Sequence, residues 1–199
     1  MSGDGEQRLR EQAPRVVALG GSAGALEVLV ELLGTIPATL PAAILIVVHL
    51  PADGESRLVD VLASECRLPV VEAEDKMPVW PSRVYVAPPD YHLLFERHGR
   101  LALAADEPVH FSRPSIDVLF ESMAHALGPL ACGILLSGAS ADGAAGLAAI
   151  REKGGLTWVQ EPETARMPLM PRQALALARH ETTTVPEMSR LFADWGNGA

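Results

Sequence analysis

Ser22, His49 and Asp142 are the residue types that a hydroxyl attack on a carbonyl requires, and each closely follows an apolar run. A serine hydroxyl is a weak nucleophile near neutrality. A neutral imidazole can take its proton, and a carboxylate can fix which imidazole nitrogen carries hydrogen. Ser22 stands in Gly20-Gly21-Ser22-Ala23-Gly24, a G-x-S-x-G pattern. Small neighbours let the backbone turn tightly and let a substrate come close to the hydroxyl. Two other readings of this stretch stay open. Serine is a favoured helix N-cap, and a glycine-rich turn ahead of a helix can bind phosphate. The dinucleotide pattern G-x-G-x-x-G is broken by Ser22 and Ala25, and no Gly-Lys-Ser/Thr follows. His49 can equally be a strand-end histidine bonded to backbone, and Asp142 a helix cap. His92, His98, His110, His125 and His180 show no metal-ligand spacing, so packing or surface roles are expected for most of them. His110 and Arg113 stand just before a helix and could line a site. Trp80, Trp158 and Trp195 read as packing residues.

The elements that must position these residues follow from hydrophobic periodicity. Residues 16–19 form an apolar run of strand length. Leu26, Leu29, Val30 and Leu33 then recur at helical spacing opposite Glu27 and Glu31. Ser22 therefore sits on a strand-to-helix turn, where free N–H groups face any developing negative charge. Residues 42–48 are continuously apolar, as a strand covered on both faces should be, and end at His49. A helix is expected over 56–66. Residues 70–104 read as short strands broken by Pro78, Pro81, Pro88, Pro89 and Gly99, a small antiparallel insertion or edge. Pro114 and Ser115 are suitable helix-start residues for a helix over 116–127. Residues 131–136 form a further strand that runs into the turn carrying Asp142, with a helix to about Lys153. A strand over 156–159, a helix from Pro171 to about Arg179 and a last amphipathic helix over 186–195 complete the chain. Alternation of strand and helix predicts a three-layer, doubly wound α/β domain with a mostly parallel sheet and a small antiparallel edge. Ligands in such sheets bind beyond the carboxyl ends of the strands, where Ser22, His49 and Asp142 all fall.

The chain has 199 residues, enough for one domain with a substantial core. Residues 1–14 are polar and read as a disordered lead-in, leaving residues 15–199 as the folded domain. The net charge of −9 argues against duplex nucleic acid and anionic membrane surfaces as partners. No apolar run approaches about 18 residues, so no transmembrane helix is expected. The start of the chain has no signal-peptide pattern. Cys66 and Cys132 are far apart, without C-x-x-C, which favours reduced thiols and a cytoplasmic setting.

Five motifs, in order, carry a resemblance. They are Gly20-Gly21-Ser22-Ala23-Gly24-Ala25, His49-Leu50-Pro51, Arg113-Pro114-Ser115 with Asp117, Leu119 and Phe120, Asp142-Gly143-Ala144 with Gly146, and Met170-Pro171-Arg172. On these the chain resembles the catalytic domain of the CheB family, the chemoreceptor methylesterases and glutamine deamidases. The resemblance implies a serine hydrolase that removes glutamate γ-methyl esters from chemoreceptor helices, with Ser22, His49 and Asp142 as its triad. It implies no cofactor or metal. Backbone N–H groups at Ala23 and Ala139 become oxyanion candidates, and Arg113 and Met170 site-lining residues. Three positions depart from the family pattern: Ala23 replaces a threonine, Ala139 a methionine and Ser112 a histidine. The family's usual architecture also has a receiver domain ahead of the catalytic one. With fourteen residues before the first strand, the expectation is no response to small phosphodonors and control by expression, a partner protein or receptor state. The alternatives are a catalytically weak or inactive interaction module in a sensory complex and, less supported, a nucleotide-binding domain.

Overall fold

The computed structural model describes residues 16–49 and 57–197. The expected lead-in and the segment after His49 lie outside the described residues. The first strand, β1 (Val16–Gly21), pairs in parallel with β2 (Ala43–Val48) on one side and β7 (Ala131–Leu135) on the other. β3 (Val70–Glu72) and β4 (Arg83–Val86) extend the sheet beyond β2, and β8 (Leu156–Gln160) and β9 (Glu181–Thr183) extend it beyond β7. The order is β3-β4-β2-β1-β7-β8-β9, with every pairing parallel. β5 (His92–Glu96) and β6 (Arg100–Ala104) form a separate antiparallel ribbon.

Both faces of the sheet are covered, which explains why its central strands are apolar throughout. Alternate residues of β2 belong to different cores: Ile44, Ile46 and Val48 to one, Ala43, Leu45 and Val47 to the other. The first core is closed by Leu29, Leu32 and Leu33 of α1 (Ala25–Thr35), Leu58 and Leu62 of α2 (Leu58–Glu65), and Met188, Phe192 and Trp195 of α6 (Val185–Gly196). The second is closed by Ile116, Leu119, Phe120 and Met123 of α3 (Ile116–Leu127), Leu147 and Ile150 of α4 (Ala144–Glu152), Met170 and Ala174 of α5 (Leu169–Leu177), and the ribbon. Three layers result, as the alternation of elements predicted.

The sequence reading differs from the structure in three local respects. β3 and β4, expected in the antiparallel insertion, pair in parallel at the sheet edge; among the named strands of the described residues only β5 and β6 pair antiparallel. β9 was not expected, because its residues Glu181-Thr182-Thr183 carry no apolar run; they need none at an edge. Trp80 is exposed, whereas Trp158 and Trp195 pack in the core as expected.

Candidate active site

From β1 the chain crosses toward β2, and from β7 it crosses toward β8, in the opposite direction across the sheet. Adjacent strands that wind apart in this way leave a crevice at their carboxyl ends. Ser22 follows β1, Asp142 closely follows β7, and His49 follows β2 directly. The His49 N–H donates to the Gly21 carbonyl at 3.1 Å, so the strand ends bearing Ser22 and His49 are direct neighbours.

The Ser22 turn does not cap its helix. Gly24 is the N-cap of α1, in a left-handed conformation (φ 80°), with no side-chain cap bond. Ser22 stands two residues earlier, half-buried, its N–H donating to the Ser137 carbonyl at 2.9 Å. A Cβ on Gly24 would come 2.7 Å from Arg166 Cβ and 2.9 Å from Ser137 Oγ, so both conformation and space demand glycine. Ser137 is the anchor of this turn. Its hydroxyl donates to the Ala23 carbonyl at 2.8 Å and accepts from the Met167 N–H at 2.9 Å, and its own N–H donates to Gln160 Oε1. Among the described residues, the N–H groups of Ala23 and Ala139 have no hydrogen-bond partner, and both residues are exposed at this edge.

Asp142 caps a helix other than its own. Its carboxylate, fully buried, lies at the N-terminus of α3 and takes four donors. Oδ1 accepts from Ser115 Oγ at 2.8 Å and the Asp117 N–H at 3.0 Å. Oδ2 accepts from the Ile116 N–H at 2.7 Å and from His49 Nε2 at 2.7 Å. Burial pushes the Asp142 pKa up, but the bonds from His49, from the Asp117 and Ile116 N–H groups and from Ser115 outweigh it and hold the pKa below the usual carboxylate value. An ionised carboxylate only accepts, so His49 Nε2 carries the hydrogen and Nδ1 presents its lone pair. That lone pair faces Ser112, whose hydroxyl lies 3.3 Å away.

The structure thus brings His49 and Asp142 together, and adds Ser112. It does not bring Ser22 Oγ into a hydrogen bond with His49, although both lie at the same strand edge; among the described residues the Ser22 hydroxyl has no partner. Arg113 turns toward the ribbon, donating through Nη1 to the carbonyls of Ala105 and Asp106 at 3.3 and 3.1 Å. Met170 is buried beneath Gly138, where its Sδ and Cε fill the place of a Cβ, and so supports the Ala139 turn from below. His110 pairs with Asp117 at 3.5 Å. Burial, opposed by the Gly146 N–H and reinforced by the Asp142 charge, pushes the Asp117 pKa up to about 6.

Sequence reasoning missed His92 and Ser137. His92 is buried; its Nδ1 accepts from the Ser115 N–H at 3.1 Å while Nε2 lies 3.1 Å from the Glu107 carbonyl, so it holds the segment that leads into α3. Nothing local marks it, since its partners come from distant parts of the chain. Ser115 was legible as a helix-start residue, and it does cap α3 by accepting from the Val118 N–H.

A doubly wound α/β domain takes its ligands at the switch point of the sheet, and here polar side chains gather at that point. The chain belongs to the CheB methylesterase family, whose model matches residues 17–192. A relative from Leptospira interrogans is 42% identical over 159 residues, 80% of this chain and 82% of its own length. One from Paraburkholderia xenovorans, named protein-glutamate methylesterase/protein-glutamine glutaminase, is 39% identical over 180 residues, 88% of this chain and 49% of its own. The chain therefore spans about half the length of that relative. The crystal structure of the Thermotoga maritima CheB methylesterase catalytic domain superposes with a TM-score of 0.83 at 26% identity, covering 91% of this chain and 98% of that one.

Proposed function

We propose that this chain is a protein-glutamate methylesterase acting on methylated chemoreceptors, with glutamine deamidation as a second activity of the same site. The observation that carries the mechanism is the 2.7 Å pairing of His49 with a buried, four-fold hydrogen-bonded Asp142 at the strand edge that bears Ser22. Ser22 Oγ attacks the γ-ester carbonyl. Its proton passes to Nδ1 of His49, the nitrogen Asp142 leaves free. The oxyanion meets the N–H groups of Ala23 and Ala139. As the intermediate collapses, the bond between the carbonyl carbon and the methoxy oxygen breaks and methanol leaves with the Nδ1 proton. Water then hydrolyses the acyl-serine by the same steps in reverse. Asp142 keeps Nε2 protonated and stabilises the imidazolium. Among the described residues no helix is long and apolar enough to cross a membrane.

The second reading, an interaction module of low activity, is favoured by the absence of a Ser22–His49 hydrogen bond. Unliganded catalytic sites are often looser than reacting ones, which is why the enzyme reading is preferred. A serine-directed phosphonate separates the two. The enzyme reading expects an adduct on Ser22 that His49→Ala suppresses. A folded wild-type protein that takes no label on Ser22 contradicts it.

A further inference from the structure

His49 Nδ1 is the nitrogen that must receive a nucleophile's proton, and in this structure Ser112 is the residue whose hydroxyl stands on it. Ser112 Oγ, His49 and Asp142 form an unbroken hydroxyl–imidazole–carboxylate chain with spacings of 3.3 and 2.7 Å. Because Nε2 carries the hydrogen, the Ser112 hydroxyl is the donor of this bond. Ser112 is half-buried and so remains open on one side.

The backbone holds this serine in place. Val109 and Ser112 exchange N–H···O bonds of 3.1 and 2.9 Å across a two-residue turn. The central residues, His110 and Phe111, have φ of 50° and 62°. That conformation normally selects asparagine or glycine, and a bulky residue adopts it at a cost. Phe111 is fully exposed at the tip, so burial of its ring does not offset the strain. Such strained turns persist where the surrounding structure over-determines them. Here Ser115 and Asp117, a few residues on, are fastened to Asp142.

We propose that Ser112 is a second nucleophile activated by His49, so that activated acyl and phosphonyl electrophiles are captured at Ser112 when Ser22 is absent. The proposal rests on the reading of His49 as the base. In the step, Ser112 Oγ bonds to the electrophilic carbon or phosphorus and its proton moves to Nδ1. The bond to the leaving group breaks; an alkoxide takes the Nδ1 proton, whereas p-nitrophenolate leaves as the anion and the Nδ1 proton passes to solvent. An acyl-Ser112 is then released by water; a phosphonyl-Ser112 persists and can be mapped.

The test is labelling with p-nitrophenyl phosphonate, followed by peptide mass mapping, on Ser22→Ala and, as a second background, Ser22→Gly. Folding is checked by circular dichroism. Expected is a stoichiometric adduct on Ser112 that forms at least tenfold faster than in Ser22→Ala/His49→Ala. An adduct on Ser112 that forms equally fast without His49 shows a merely accessible serine and overturns the proposal. So does the absence of any Ser112 adduct in both backgrounds. Neither result bears on whether wild-type protein is labelled at Ser22, so the two readings fail separately.

Discussion

Asp142 serves a helix and an imidazole at once, and this double duty sets what its replacement does. Asparagine at 142 keeps one acceptor oxygen but turns an NH₂ toward a donor of the α3 N-terminus, the Asp117 N–H if it takes the Oδ1 position or the Ile116 N–H if it takes the Oδ2 position. A buried donor left unpaired costs about 1–3 kcal/mol. Asp142→Asn is therefore expected to lower thermal stability as well as turnover, with Tm falling by several degrees in a melt at pH 7. An unchanged Tm would show that the α3 N-terminus finds other acceptors. Nothing in the sequence marks a turn after β7 as the cap of a helix that precedes it. Ser22, His49 and Asp142 could be singled out because each follows an apolar run. Ser112 could be noticed only as a departure from a family pattern, and its contact with His49 is purely tertiary.

At the scale of elements, the site is a set of helix N-termini and turns pressed against strand ends. Gly20 makes the closest of these approaches: a Cβ there would overlap Ile116 Cγ2, at the first residue of α3. The Ser22 turn depends likewise on Gly24. Alanine there must adopt a left-handed conformation costing roughly 1–2 kcal/mol and must also displace Arg166 or Ser137. Gly24→Ala is expected to reduce phosphonate labelling of Ser22 at least tenfold, since Ser137 fixes the same turn; an unaltered labelling rate would contradict that role. Asp117 joins two helices, its Oδ1 accepting from the Gly146 N–H of α4 at 2.7 Å. Its folded pKa, about 6, lies above the value near 3.9 expected in the unfolded chain. The folded state thus binds this proton more tightly. The stability it contributes is full below about pH 4 and is lost as pH rises through about 6. Asp117→Asn keeps an acceptor for Gly146 and removes the titration. Its Tm relative to wild type should therefore rise between pH 4.5 and pH 7.5, and a difference independent of pH would refute the assignment. One helix was legible to the residue, 116–127 against the observed Ile116–Leu127, whereas the helix expected from Pro171 to about Arg179 runs over Leu169–Leu177. The pairing of β3 and β4 was not, because strands of three and four residues between prolines look alike whether their partner is sequential or distant.

At the scale of the molecule, the sheet winds outward both ways from its centre, and the crevice between β1 and β7 follows from that order. The central strands could be read from sequence because burial on both faces leaves them apolar throughout. The polar edge strand β9 could not, since an edge has neither that burial nor that composition. The account stands or falls on Ser22 as nucleophile. The most direct measurement is methanol released from methylated chemoreceptor by wild-type protein and by Ser22→Ala, both shown folded by circular dichroism. The account predicts a loss of roughly 10⁴-fold or more, with Ser22→Ala/His49→Ala little worse than Ser22→Ala, because nucleophile and base act as a unit. Equal methanol release from the two proteins would contradict it.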